Sequence, residues 1–359
     1  MKNSNMSKNK RFLLFGGPGI GDTVIELIFA KALKDFDPSC KIDLLFSTTI
    51  GSEKTISELL KYQNNCIDSY YCYNRNRKIE TIKTFIRLKR NKYLYSFACS
   101  TSFKSNSKPA IISRLIGTRS VIKVVEGKTG RIDIPVKINE HIHIVEQYGK
   151  LLEAIGIGYK LDGKVLDCSK LIHYQLKNKN KDRIVVICLG TNYTIFRYNG
   201  NPIYKQIKEW TIQRWIELSQ LLSKNGFFVV IIGGEKEKDK LSKMEIPDLK
   251  NREILVGDTS IAESLSIVSQ SSITVGADTG LMHCAAAFGI PTLTLFGGTD
   301  ANVWKPYSKQ SYTISGRVSC SPCYGKSHAI SCSERRCMNS ISVNMVFEKL
   351  VQILNDSIN

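Results

Sequence analysis

Residues Ile273 to Gly297 read ITVGADTGLMHCAAAFGIPTLTLFG. A β-branched strand leads into an acidic turn, an apolar helix follows, and Gly289-Ile290-Pro291 opens a second strand. The helix start carries Asp278, Thr279 and Gly280. There the first backbone N–H groups lack intrahelical partners and favour an anion such as a phosphate. In an open α/β sheet, a turn at a strand end is where ligands bind.

The same alternation extends outward from this unit. An apolar strand at Ile184 to Leu189 (IVVICL), helices over 212–224 and 262–269 and a strand over 227–232 complete one half of the chain. The other half starts with a strand at Arg11 to Gly16 (RFLLFG), a helix over 22–36 and a strand at Lys41 to Ser47 (KIDLLFS). It continues with helical patterns over 52–62, 79–90, 110–116 and 143–155 and strand-like runs over 66–73, 92–99 and 120–125. Strands separated by helices of this length imply parallel pairing through right-handed crossovers. The lysine-rich polar stretch over 160–183 reads as a linker. The expectation is an α/β protein of two Rossmann-like, doubly wound domains facing across a cleft. Their bounds are 1–165 and 183–342, with a linker over 166–182 and a C-terminal helix over 343–359.

Composition agrees with two packed domains. The 359 residues are 42% apolar, and a chain of this length exceeds one ordinary core. The formal net charge of +19 invites nucleic acid, anionic lipid or a polyanionic substrate as partners. No nucleic-acid motif is matched and no compact basic helix with interleaved aromatics is seen, so nucleic acid is not expected. The opening MKNSNMSKNKR lacks the apolar stretch of a signal peptide, and no apolar run approaches the roughly 18 residues of a membrane span. A cytoplasmic protein is expected, meeting an anionic inner-membrane surface from outside the bilayer if at all.

Seven of the eleven cysteines are scattered and read as small core residues of a reducing compartment. Cys320, Cys323, Cys332 and Cys337 instead cluster as C-x2-C-x8-C-x4-C. Four thiolates can hold a structural zinc. The second pair lacks the usual short knuckle spacing, which favours a packed, thiol-rich loop over zinc or a disulfide.

The turn Gly16-Gly17-Pro18-Gly19-Ile20-Gly21-Asp22-Thr23 lies between the first strand and the first helix. It fails the dinucleotide pattern, and where a P-loop has lysine it has Asp22. A carboxylate there repels a triphosphate. The glycines Gly19 and Gly21 still permit close approach to the backbone, and Asp22 can accept a proton from a hydroxyl nucleophile. Alternatively, Asp22 simply caps the helix.

Three separated stretches, GIGDTV at Gly19 to Val24, KEWTIQRW at Lys208 to Trp215 and ADTGLMHCAAAFGIPTLTLFGGTD at Ala277 to Asp300, together resemble glycosyltransferase family 9, the bacterial heptosyltransferases of the lipopolysaccharide inner core. WKPY at Trp304 to Tyr307 and the CSPC to CM segment at Cys320 to Met338 extend the resemblance. It implies a GT-B fold, with the acceptor, a lipid-linked sugar or oligosaccharide, on the first domain and an ADP-sugar donor on the second. The implied reaction is inverting and metal-independent, and requires no cofactor beyond the donor substrate. Asp22 matches the family's general base and Lys208 its phosphate-binding lysine. Gly233-Gly234-Glu235 resembles the turn that contacts the nucleoside, with Glu237 an alternative to Glu235.

Physical chemistry fills in the remaining roles. Charge growing on the leaving diphosphate calls for cations and helix-end amides, which Lys208, Thr279, Gly280 and Leu281 offer. Asp278 would repel phosphate and suits sugar hydroxyls; it can also be an N-cap. His283 can donate to phosphate or sugar, or be a satisfied core residue. Thr191 and Asn192, at another strand end, are further candidates for phosphate contact. Two departures from the family pattern bear on specificity: 192–207 is longer than the usual connection, and the first turn reads Gly-Gly-Pro-Gly. Rival readings are a GT-B sugar-nucleotide epimerase and a non-catalytic nucleotide-sugar or glycan-binding module. The trio Asp22, Lys208 and Asp278 argues against the module.

Overall fold

The computed structural model describes residues 10–47, 52–74, 76–98, 107–118, 120–125, 134–137, 141–177, 183–191, 194–198, 201–324 and 326–356. It divides into two compact units, Met1–Asp167 and Cys168–Asn359.

The first unit runs β1 (Arg11–Gly16), α1 (Ile20–Phe36), β2 (Lys41–Ser47), α2 (Ser52–Leu60), β3 (Ser69–Tyr73), α3 (Lys78–Arg90), β4 (Tyr95–Ala98), α4 (Ser107–Ile116), β5 (Ser120–Val125), β6 (Ile134–Lys137) and α5 (Ile144–Glu153). Its six strands pair in the order β3-β2-β1-β4-β5-β6, all parallel. Helices α3 and α4 pack together on one face, where Leu88, Ile112 and Ile116 meet Leu13, Phe15 and Leu45. Helix α1 packs against α2 and α5, and Phe29 sets its ring edge-on to Phe97 at 5.0 Å. β6 was not anticipated from the sequence. It contains Pro135 and lies at the sheet edge, where a missing N–H is tolerated.

The second unit runs β7 (Ile184–Cys188), β8 (Thr194–Tyr198), β9 (Asn201–Lys205), α6 (Ile212–Lys224), β10 (Phe228–Ile232), α7 (Glu235–Leu241), β11 (Arg252–Ile254), α8 (Ile261–Ser269) and β12 (Ile273–Ala277). It continues with α9 (Gly280–Phe288), β13 (Thr292–Phe296), α10 (Ala301–Trp304), β14 (Ser311–Ser315), α11 (Arg336–Asn339) and α12 (Val343–Asp356). The main sheet is again six parallel strands, ordered β11-β10-β7-β12-β13-β14. Both sheets therefore have the Rossmann winding, with a switch point beside their first strand.

Alternation along β7 explains the two cores of the second unit. Val185 and Ile187 face Trp215, Leu218, Leu350 and Ile353 on one side. Ile184, Val186 and Cys188 face Val268, Met282 and Ala285 on the other. Helix α12 thus belongs to the second unit: Val346, Leu350 and Ile353 are buried, each contributing roughly 2 kcal/mol. The long connection over 192–207 contains a separate antiparallel ribbon, β8 with β9.

Candidate active site

In the first unit the candidate site is the turn from β1 to α1, at the carboxyl end of the switch-point strand. Gly19 is the N-cap of α1. Asp22, at the third helical position, accepts the Gly19 N–H at 3.2 Å, so it does cap the helix. Close packing explains the glycines. A Cβ on Gly17 would lie 2.6 Å from the Asp22 carboxyl carbon, and one on Gly16 would lie 2.5 Å from Glu26 Oε2.

Glu26 is a residue that sequence reasoning missed. It is 1% exposed, one helical turn beyond Asp22, and its Oε1 accepts the Gly17 N–H at 2.6 Å. Its Oε2 is buried without a hydrogen-bond partner among the described residues. Burial, reinforced by the negative charge of Asp22 and only partly offset by the Gly17 hydrogen bond, pushes the Glu26 carboxyl well above the usual carboxylate range. Two carboxyls thus share one glycine turn, and burial and the Asp22 charge both disfavour the charged form of Glu26. A lone Glu in the apolar run VIELIFA was the available signal.

In the second unit, the candidates gather at strand ends around the switch point between β7 and β12. Lys208 Nζ lies 2.7 Å from Asp278 Oδ2, and Thr299 Oγ1 donates to the same oxygen at 2.8 Å. Burial alone would raise the Asp278 carboxyl. The Lys208 charge and hydrogen bond, the nearby His283 and the Thr299 hydroxyl outweigh it and hold Asp278 below its ordinary value. His283 is itself buried on α9. The N-cap of α9 is Thr279 rather than Asp278, so Asp278 sits one residue outside the helix and Gly280 and Leu281 form its first turn.

Lys208 is held in place by its neighbours. Glu209 pairs with both Lys240 and Arg335, and the Trp210 indole N–H donates to the Ile341 carbonyl at 3.0 Å. Trp210 and Trp215 of the KEWTIQRW stretch pack edge to face at 4.5 Å. The cysteine-rich loop closes the other side: Tyr324 places its ring 5.9 Å from Lys208 Nζ, and the Cys323 and Tyr324 N–H groups donate to the Gly298 carbonyl. Cys323 packs on Ile207 and Ala329, while Cys337 lies in the main core. Burial raises both thiols above their ordinary range. Among the described residues no group of three or more His, Cys, Asp or Glu side chains could hold a metal ion.

The nucleoside candidates separate clearly. Glu237 is buried and accepts the Gly234 N–H at 3.1 Å, capping α7, whereas Glu235 is exposed at the start of that helix. Thr191 follows β7, and its buried hydroxyl has no hydrogen-bond partner among the described residues. Asn192 lies outside the described residues. Thr299 and Tyr324 were not anticipated; the Gly-Gly-Thr-Asp run closing β13 was the signal for the first.

Two units, each a parallel sheet with Rossmann winding and a glycine-bearing or acidic turn beside its switch point, are the architecture of the GT-B class of fold. The sequence profile of glycosyltransferase family 9 (heptosyltransferase) matches residues 83–333, more than half of the chain. The chain belongs to this family of glycosyltransferases. Lipopolysaccharide heptosyltransferase 3 of Escherichia coli K12 is 26% identical over 309 residues, 80% of this chain and 83% of that one. Lipooligosaccharide heptosyltransferase 2 of Haemophilus ducreyi is also 26% identical, over 85% of this chain and 88% of that one. With lipopolysaccharide heptosyltransferase 1 of Pseudomonas aeruginosa the match, 27% identical, spans 38% of each chain. Among solved structures, E. coli heptosyltransferase WaaC with ADP-2-deoxy-2-fluoro heptose has a TM-score of 0.68 at 15% identity, covering 95% of this chain and 99% of that one.

Proposed function

We propose that the protein is an inverting, metal-independent glycosyltransferase that moves a heptose, or a related sugar, from an ADP-activated donor to a lipopolysaccharide-core or other glycan acceptor. The observation that carries this reading is the Lys208–Asp278 pair beside the amide-bearing start of α9, at the switch point of the second unit. The relatives named as heptosyltransferases support the donor class, as does the ADP-heptose analogue named with WaaC.

In this mechanism Asp22 takes the proton from an acceptor hydroxyl as its oxygen attacks the anomeric carbon. The bond from that carbon to the diphosphate breaks on the opposite face, which inverts the configuration. Lys208, paired with Asp278, brings its ammonium charge to the departing diphosphate. The N-cap amide of Thr279 and the first-turn amides of Gly280 and Leu281 add charge stabilisation without a metal, and Thr191 is a further phosphate contact. Asp278 and His283 orient the sugar, and Glu235 reaches a ribose hydroxyl. The acceptor is a lipid-linked sugar or an oligosaccharide, and the enzyme works in the cytoplasm, meeting a lipid-linked acceptor at the inner face of the membrane. Among the described residues no helix is long and apolar enough to cross a membrane.

The test is a donor screen by mass spectrometry with truncated lipopolysaccharide acceptors. ADP-heptose should be consumed only when acceptor is present, with one glycosyl unit added to the acceptor. Consumption of donor in its absence would favour an epimerase. Retained transfer by Asp22→Asn would overturn the role of the base.

A further inference from the structure

Helix α3 has the sequence KIETIKTFIRLKR, and its inward side is set by Leu88, fully buried, and Phe85, which packs against the same core. The opposite side is apolar as well. Ile79, Ile82 and Ile86 recur along one stripe and are 72%, 57% and 51% exposed. On the neighbouring helix α4, Leu115 is 60% and Ile111 39% exposed. These five are nearly half of the eleven exposed large hydrophobic residues among those described, and they occupy two adjacent helices on one face of one sheet.

Cations border the stripe. Lys78, Lys83, Arg87, Lys89 and Arg90 are all exposed on α3, against the single carboxylate of Glu80, and Arg114 is exposed on α4. The basic charge is thus gathered on this helix, while its one aromatic residue, Phe85, is turned inward. Apolar side chains at the pole of a helix with long basic side chains on both flanks match a bilayer interface, where the stems of Lys and Arg lie along apolar surface and their heads reach phosphates. A second copy of the same face would bring like charges together. A nucleic-acid backbone offers nothing for the isoleucines.

We propose that the α3–α4 face docks the protein onto an anionic lipid bilayer, with Ile79, Ile82, Ile86 and Leu115 entering the headgroup–acyl boundary and the flanking Lys and Arg pairing with lipid phosphates. The proposal deepens the reading of a lipid-linked acceptor and rests on it for its biological purpose. It places the acceptor-type unit against the surface in which such an acceptor is anchored.

The experiment is co-sedimentation of the full chain with vesicles of phosphatidylglycerol mixed with phosphatidylcholine, against vesicles of phosphatidylcholine alone, with no acceptor present. Wild type should bind the anionic vesicles and not the neutral ones, and rising salt should release it. The Ile79→Ser/Ile82→Ser/Ile86→Ser variant and the Lys83→Glu/Arg90→Glu variant should each lose about tenfold or more in partitioning. Lys243→Glu/Lys250→Glu, with the same charge change at exposed positions of the second unit, should bind like wild type. Circular dichroism should show the same fold for all variants, since the substituted side chains are exposed. The proposal is overturned if wild type binds no vesicles or binds neutral ones equally, or if the isoleucine variant binds undiminished. Equal loss in the Lys243/Lys250 control, or a dimer dissolved by the isoleucine changes in sedimentation velocity without any vesicle binding, also overturns it. Transfer to a water-soluble truncated acceptor tests the activity separately and should be unaffected by these variants.

Discussion

Lys208 Nζ and Asp278 Oδ2 are 2.7 Å apart, and the two residues come from segments that precede α6 and follow β12. The pair joins these segments directly, so each residue has a structural role beside its chemical one. Removing the lysine leaves Asp278 buried without its cation. Lys208→Ala should therefore lower stability by about 2 kcal/mol, because Lys208 keeps partial access to water, and should also weaken ADP-sugar binding. Adding Asp278→Asn to that variant should recover part of the stability while donor binding stays weak. Urea unfolding of the two single variants and the double variant measures the coupling.

Glu26 sets a pH dependence with the opposite sign from that of an ordinary acid. Its folded value lies above the usual 4.5, so its contribution to stability is fully present below 4.5 and is lost as pH rises through the folded value. Glu26→Gln keeps an oxygen for the Gly17 N–H without an ionisable group. It should flatten the fall in stability above 4.5, seen as a smaller change in Tm from about pH 4 to about pH 9. An unchanged profile would show that Glu26 does not carry the effect.

Asp278 acts in the acid range. Its folded value lies below the ordinary 3.8, so its stabilising share is present above 3.8 and is lost as pH falls through the lower folded value. Asp278→Asn should lose stability at neutral pH yet show a shallower acid transition than wild type in a fluorescence-monitored titration.

Asp22 should separate capping from proton transfer. Asn at this position retains an oxygen for the Gly19 N–H, so Asp22→Asn should keep its Tm and donor affinity while turnover falls by roughly 10²- to 10⁴-fold. Asp22→Ala loses the cap as well and should cost about 1 kcal/mol more in stability.

Gly17→Ala tests the turn itself. The added methyl meets the Cβ and carboxyl carbon of Asp22 at under 3 Å, so the side chain must move. Turnover should fall by about tenfold or more, with little effect on nucleotide affinity, in steady-state kinetics and calorimetry.

What was legible in the sequence followed the strength of its apolar patterning. Continuous apolar runs such as IVVIC in β7 and ITVGA in β12 become central strands buried along their whole length. Short or polar elements were missed: β11 is Arg-Glu-Ile at a sheet edge, β14 alternates around serines and threonine, and α7 is EKEKDKL, with no apolar period to detect. Residues of the site that lie in glycine-bounded turns were visible. Glu26 and Thr299 were not, because burial of one under the turn and contact of the other with Asp278 come from tertiary packing.

The two windings also differ in when they can be completed. Every strand of the first sheet precedes residue 138, so that unit has its sheet complete while the rest is still being synthesised. The second sheet needs a helix that follows its last strand: α12 supplies Val346, Leu350 and Ile353 to the core beneath α6. A ribosome stalled short of that helix would hold a finished first half beside a second half with an open seam, the species for which a chaperone would be needed most.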